Sequence, residues 1–372
     1  MRTVHPTNIL AGCIGLLMAL CTSFAAKAQE FTWSIDFGSV FDNREGDNSI
    51  TETKTYFFTN LAPEVGIKFT ANDRVSGGVV WNQPVGNEWE GHRISPTLYY
   101  RHENRRWSFS MGMFPRTQLR QPLPGFLWCD SLTYFQRNIR GALVQYHSPE
   151  AFIDFYLDWR QLQTDTKREA FNIVFHGEWI PNRRSFIVGG HVMMNHYALT
   201  RHAPADQHIV DNFLVNPYIG VDLHRATGLD SLVIKGGALA TIERNRANDN
   251  WTMPAGAWVE LTGEWRWLGL KNSFYAGGKL LPSYAELGSP LYQGEPFYQC
   301  SLNNRTDIYA SIVRNQWVNL EASLDFHVTP GSFIFYQRLL LRVYLDQINC
   351  PFSRKKQEAR HRKKQVLRNL YL

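Results

Sequence analysis

The stretch Trp317–Val328 constrains this chain more than any other. Val318, Leu320, Ala322, Leu324, Phe326 and Val328 alternate with Asn319, Glu321, Ser323, Asp325 and His327. A strand points successive side chains to opposite faces, so one face here is oily and the other carries two acids and a histidine. After the turn Thr329-Pro330-Gly331-Ser332 the pattern resumes, with Phe333, Phe335, Leu339, Leu341, Val343 and Leu345 on one face and Arg338 and Arg342 on the other. A strand crossing a bilayer needs roughly 9–11 residues of such alternation with aromatics near its ends. Both strands of this hairpin meet that requirement.

Residues 1–28 read as a secretory signal: Arg2, an apolar run from Ile9 to Leu20, then Ala26-Lys27-Ala28 before Gln29. The run is too short for a spanning helix, and no later stretch is long and apolar enough for one. With 14% aromatic residues and little helical periodicity, the remainder, 29–372, reads as one all-β domain. The net charge of +6 sits at the ends. Arg2 and Lys27 lie in the signal, and Arg354, Lys355, Lys356, Arg360, Arg362, Lys363, Lys364 and Arg368 follow Cys350 against Glu358 alone. The body between is net negative, which excludes a nucleic-acid binder. In an oxidising compartment Cys129 and Cys300 are candidates for a bridge between two long loops.

Alternating segments are separated by connections that are short and long by turns. The short ones fall at 71–74, 102–105, 148–151, 181–184, 226–228, 270–272 and 329–332, each with turn-forming residues. The long ones fall near 42–53, 83–91, 115–138, 163–168, 199–209, 245–251 and 284–311. The strands share one ionic face: Asp154 and Asp158 oppose Ile153, Phe155 and Leu157, while Glu260 and Glu264 oppose Val259, Leu261 and Trp265. Buried dry and unpaired, such charges cost several kcal/mol each, so a wet interior is expected. The pattern predicts an antiparallel transmembrane β-barrel. Its strands number about fifteen as counted, and about sixteen, with fourteen the alternative, once parity is imposed. In the sixteen-strand reading 354–364 is a basic exposed segment and 365–372 the closing strand.

The chain thus resembles the porin-like outer-membrane β-barrels of Gram-negative bacteria, through its signal, hairpin rhythm and ionic inner face. The resemblance implies an outer-membrane location, contact with outer-membrane lipids and lipopolysaccharide, insertion by barrel-assembly machinery and association as a homotrimer. It also implies a passive or selective channel for a small polar or anionic solute, with no enzymatic step and no cofactor. In such barrels the third external loop narrows the lumen, and 115–138 is the third long loop here. It holds Arg116, Arg120 and Arg137, and Arg140 follows. Asp154, Asp158, Glu260, Glu264, Glu321 and Asp325 are the acids that would face it, with Arg338 and Arg342 alongside, creating a transverse field.

Two other readings stay open. One is a plugged barrel that serves as an anchored platform for partners or glycans. The other is a lipid hydrolase, for which His147-Ser148 is the one adjacent His-Ser pair, set at a short turn where the two side chains diverge. No histidine or cysteine spacing predicts a metal site.

Overall fold

Outward and inward residues separate strand by strand in the computed structural model, which describes residues 30–46, 50–51, 53–86, 93–181 and 185–347. The strands are β1 (Glu30–Gly46), β2 (Lys54–Lys68), β3 (Asp73–Pro84), β4 (Ile94–Glu103), β5 (Trp107–Pro115), β6 (Asn138–His147), β7 (Ala151–Gln161) and β8 (Ala170–Trp179). They continue as β9 (Phe186–Tyr197), β10 (Val210–Asp222), β11 (Ser231–Asn245), β12 (Ala255–Trp265), β13 (Leu268–Gly277), β14 (Leu302–Arg314), β15 (Val318–Thr329) and β16 (Ser332–Asp346). The short stretch Asn250–Thr252 pairs with β11 in the same register as β12 and extends it. Each strand is antiparallel to its neighbours, and β1 pairs with β16, Phe37 opposite Val343, closing a 16-strand cylinder.

The closure corrects one expectation. β16 completes the barrel, so no strand from 365–372 is required; 365–372 and the basic segment 354–364 lie outside the described residues. The strand that the alternation does not reveal is β14, which begins within the loop expected at 284–311. Near its start the outward residues are Asn304 and Thr306, whose side chains both accept from Asn272 Nδ2 at 2.9 and 2.7 Å. Polar side chains on both faces erase the alternation there. The turn expected at 270–272 falls instead at Arg266-Trp267, where Arg266 takes a φ of 56°.

Phe31, Ile35, Val75, Leu98, Met111, Phe155, Phe175 and Val259 are exposed on the outside. Trp107, Trp179, Trp265 and Trp267, also exposed, ring the rim that carries the tight turns, as amphipathic rings do at a membrane interface. Long connections occupy the opposite rim except at Pro330-Gly331, a tight turn that Gly331 makes with a φ of 80°.

Two of the long connections turn inward. The first, 116–137, contains α1 (Asp130–Phe135), and the second, 278–301, contains α2 (Tyr284–Leu291), bent at Gly288. They pair with each other: the Glu295 N–H donates to the Gly125 carbonyl at 2.8 Å and the Cys129 N–H to the Gln293 carbonyl at 2.9 Å. Together they bring Leu119, Phe126, Leu127, Leu280, Leu287 and Leu291 against inward wall residues that include Leu143, Tyr156, Leu239 and Trp258. The hydrophobic core of this barrel is therefore inside it. Cys129 and Cys300 are separate free thiols, which corrects the expected bridge.

Candidate functional site: the charged sector beneath the inward loops

Between the inward loops and the wall formed by β12–β16, β1 and β2 lies a cavity of about 520 Å³. Arg116, Arg120, Arg137, Glu260, Glu264, Glu321, Arg338 and Arg342 all line it, so eight of the expected constriction residues meet there. Asp154, Asp158 and Asp325 lie behind the lining as buried partners. The Arg140 side chain does not take part: it is exposed, four positions from the exposed Val144 and so on the same face, opposite in parity to the buried Ile139 and Leu143.

Most of the arginines are already matched. Arg116 Nη2 lies 2.6 Å from Asp158 Oδ2, and its guanidinium stacks 3.7 Å from the Trp128 ring. Arg137 and Arg342 share Asp36, at 2.7 and 2.9 Å. The Arg120 N–H donates to Asp154 at 2.7 Å, and its guanidinium meets His147 Nδ1 at 2.8 Å.

The densest cluster joins the first inward loop to the wall. Arg305 pairs with Asp130 at 3.0 Å, Asp307 at 2.7 Å, Asp325 at 3.3 Å and Glu295. Arg338 pairs with Asp325 at 2.5 Å and Asp130 at 3.2 Å. Burial alone would raise the Asp130 carboxyl, but Arg305, Arg338 and Arg44 hold it well below the usual carboxylate range. Glu295 goes the other way, raised by burial and by neighbouring Asp130 and Asp307, with Arg305 opposing.

The acids nearest the turn rim meet their cations at longer range. Glu260 has Lys271 at 3.6 Å, and Glu264 accepts from the Tyr309 hydroxyl at 2.9 Å with Arg314 at 3.5 Å. Glu321 lines the same wall. Arg305, Asp307, Glu295 and Lys271 were missed by sequence reasoning, because β14 was hidden in a loop and Lys271 in a supposed turn. The signal available was the pair Arg305 and Asp307, two apart and so on one face of a strand.

The family model described as Lipid A 3'-O-deacylase-type matches residues 24–346. The chain belongs to that family. No curated protein matches the chain. Among solved structures, the outer membrane protein OprD from Pseudomonas aeruginosa aligns with a TM-score of 0.51 at 9% identity, over 87% of this chain and 96% of that one. OccD3 (OpdP) from the same organism aligns with a TM-score of 0.50 at 8% identity, over 87% and 93%. At such identity the likeness is one of fold. With the exposed apolar belt it makes this family member a porin-like outer-membrane β-barrel.

Proposed function

We propose that this barrel is a solute-selective channel, throttled by its two inward loops, whose path follows the charged sector and favours small polar solutes bearing positive charge. The observation that carries the reading is the asymmetry of compensation. Arg116, Arg137, Arg305, Arg338 and Arg342 each have a carboxylate within ion-pair distance. Glu260 and Glu264 are paired as well, at longer range, with Lys271 at 3.6 Å and Arg314 at 3.5 Å. With Asp36, Asp158 and Asp325 held behind the lining, the acids of this sector outnumber its cations, and it presents a negative potential to the lumen, focused by low-dielectric walls. This reverses the anionic bias that the loop arginines alone suggest. Reconstitution in planar bilayers under a salt gradient tests it: stepwise conductance with a cation-selective reversal potential is expected, moving toward zero in Glu260→Gln/Glu264→Gln/Glu321→Gln. An anion-selective potential, unmoved by that variant, would refute it.

The family supplies a second reading, hydrolysis of an acyl ester of lipid A, and one feature of the outer surface favours it. On the loop-rim side of β7–β10, Trp159, Phe171, His196 and Asp211 are successive cross-strand neighbours. The Trp159 and Phe171 rings are 5.2 Å apart, Phe171 and His196 4.7 Å, and His196 Nδ1 lies 3.4 Å from Asp211 Oδ1. Asp211, itself held by Arg246 at 2.6 and 2.9 Å, lies beside an imidazole flanked by apolar rings, a setting that suits a general base for a lipid ester. Lipid A incubated with the reconstituted protein and analysed by mass spectrometry should then lose one acyl chain, and His196→Ala should abolish the loss. Intact lipid A with wild-type protein removes this reading.

A further inference from the structure

Each inward loop is seated on the wall by a phenylalanine laid against a buried histidine. Phe126 of the first loop meets His191 edge-on at 5.6 Å, and His191 stacks on His176 of the adjacent strand at 4.2 Å. Tyr218 at 5.3 Å from His191 and Phe152 at 4.9 Å from His176 complete the box. Phe297 of the second loop lies 4.3 Å from His327, which Tyr336 covers at 4.8 Å. His176, His191 and His327 are 2%, 5% and 0% exposed. Neither ring nitrogen of His176 or of His327 has a hydrogen-bond partner among the described residues, and His191 Nδ1 has only Asn216, at 3.1 Å.

We propose that these three histidines form an acid-sensitive latch: docked and neutral they hold both inward loops, and their protonation releases the loops and widens the lumen. This inference rests on the channel reading above for its consequence, though not for the release itself. An uncharged imidazole packs in an aromatic box, whereas an imidazolium there is desolvated and has no carboxylate within ion-pair distance among the described residues. Around His176 and His191 the charged groups are Lys235, Glu178 and Glu260, with the Tyr218 phenol and, opposite His176 on β7, Asp154; Glu178 is taken up by Lys235 and by the Tyr218 hydroxyl, and Asp154 by the Arg120 backbone N–H and Gln145. Around His327 stand Arg305, Arg338, Arg44 and Asp130, with Glu295, Asp325 and the Tyr336 phenol nearby, and Asp130 is taken up by Arg305 and Arg338. The cations facing the boxes oppose a further positive charge. In the released state the rings meet water and bind protons near their ordinary value of about 6.5, so docking weakens as pH falls below it.

The test compares the full chain with His176→Phe/His191→Phe/His327→Phe, which keeps the ring stacking and removes the titration; heat-modifiable gel migration confirms that both form barrels. In bilayers, the wild-type open probability should rise about tenfold between pH 7 and pH 4.5 and the variant should stay flat. An equal acid response in the variant, or a flat wild type, would overturn the latch. Should the barrel conduct at no pH, loop release is read instead through Cys129, with Cys300 and Cys350 changed to Ser, using 4,4'-dithiodipyridine, which reacts at acidic pH. Acid should then accelerate labelling about tenfold in wild type alone. Unaccelerated labelling sinks the latch irrespective of conductance. Where the triple variant does not insert, His327→Phe alone should lose part of the acid response, and a full response in it counts against the proposal.

Discussion

The two sides of this barrel solve the problem of an oversized lumen in different ways. Along β5–β11 the inward positions include many large apolar or aromatic residues, among them Leu143, Tyr156, Val174, Met193, Leu214 and Leu239, interleaved with polar ones such as Asn172, Glu178 and Asn195, and the inward loops pack on the apolar set as a core. Along β12–β16 and β1 the inward positions are ionic, and the same loops are tied down by Asp130 and Glu295 through shared guanidinium groups. Sixteen strands enclose more space than wall side chains alone can fill. The dry side gives the loops an apolar place to land, and the charged side leaves polar space beside them. The difference teaches that the alternating pattern, which fixes the wall, says little about the lumen; what decides the lumen is which inward residues the loops can pack against.

The sharpest way to break the charged side is Arg305→Ala. Asp130, Asp307, Asp325 and Glu295 all lean on this guanidinium, and removing it leaves the three aspartates against Arg338 and leaves Glu295 with the more distant Arg44. Loss of one partner from a buried ion cluster costs about 3–5 kcal/mol. Proteolysis of the first inward loop should become rapid and urea unfolding should shift down, with Arg305→Lys rescuing only part of the loss. Unchanged protection would mean that the dry side alone holds the loops.

On the dry side the comparable cut is Leu127→Ala. Leu127 is 0% exposed within the core cluster, and truncating such a leucine costs about 2–5 kcal/mol through lost burial and the cavity left behind. Its effect on loop protection should approach that of Arg305→Ala but be insensitive to salt. A strong salt dependence would show that the loops dock by charge on both sides.

This contrast explains what the sequence made legible. Strands with a continuous oily face, such as β5, β7, β12 and β15, declared themselves, because Met111, Phe155, Val259 and Leu324 meet lipid and nothing polar interrupts them. β14 did not, since Asn304 and Thr306 satisfy Asn272 on the outward face. The inward turn of 116–137 was legible from its place as the third long loop. That 278–301 joins it was not: the pairing of Glu295 with Gly125 and of Cys129 with Gln293 is between backbones, which carry no side-chain signature. The arginines were visible as residues but not as neutralised residues, because Asp36 and Asp158 reach Arg137, Arg342 and Arg116 only through barrel closure and loop folding.

A gentler probe acts on the cavity lining without disturbing either anchor. Glu264→Gln keeps the shape and the Tyr309 contact while removing one charge close to the turn rim. A single partly solvated charge in a lumen is worth about 0.2–1 kcal/mol. The reversal potential should therefore move toward zero by a modest, salt-dependent step, with loop protection unchanged. No shift would assign selectivity to the inward loops instead of the wall.

The smallest expected effect separates the two anchors most cleanly. Asp130 is held below its ordinary value in the folded state, so the stability it supplies is fully present above its unfolded pKa of about 3.9 and is lost only as pH falls further. Glu295 is raised, so it binds its proton more tightly when docked, and a falling pH strengthens docking through it. Neither carboxylate can produce release between pH 7 and pH 5. Asp130→Asn should accordingly weaken docking by the same amount at both pH values, which moves the release midpoint to higher pH and leaves the steepness of the pH dependence unchanged. A flattened pH dependence would place the proton sensor in the ion cluster and remove it from the histidine boxes.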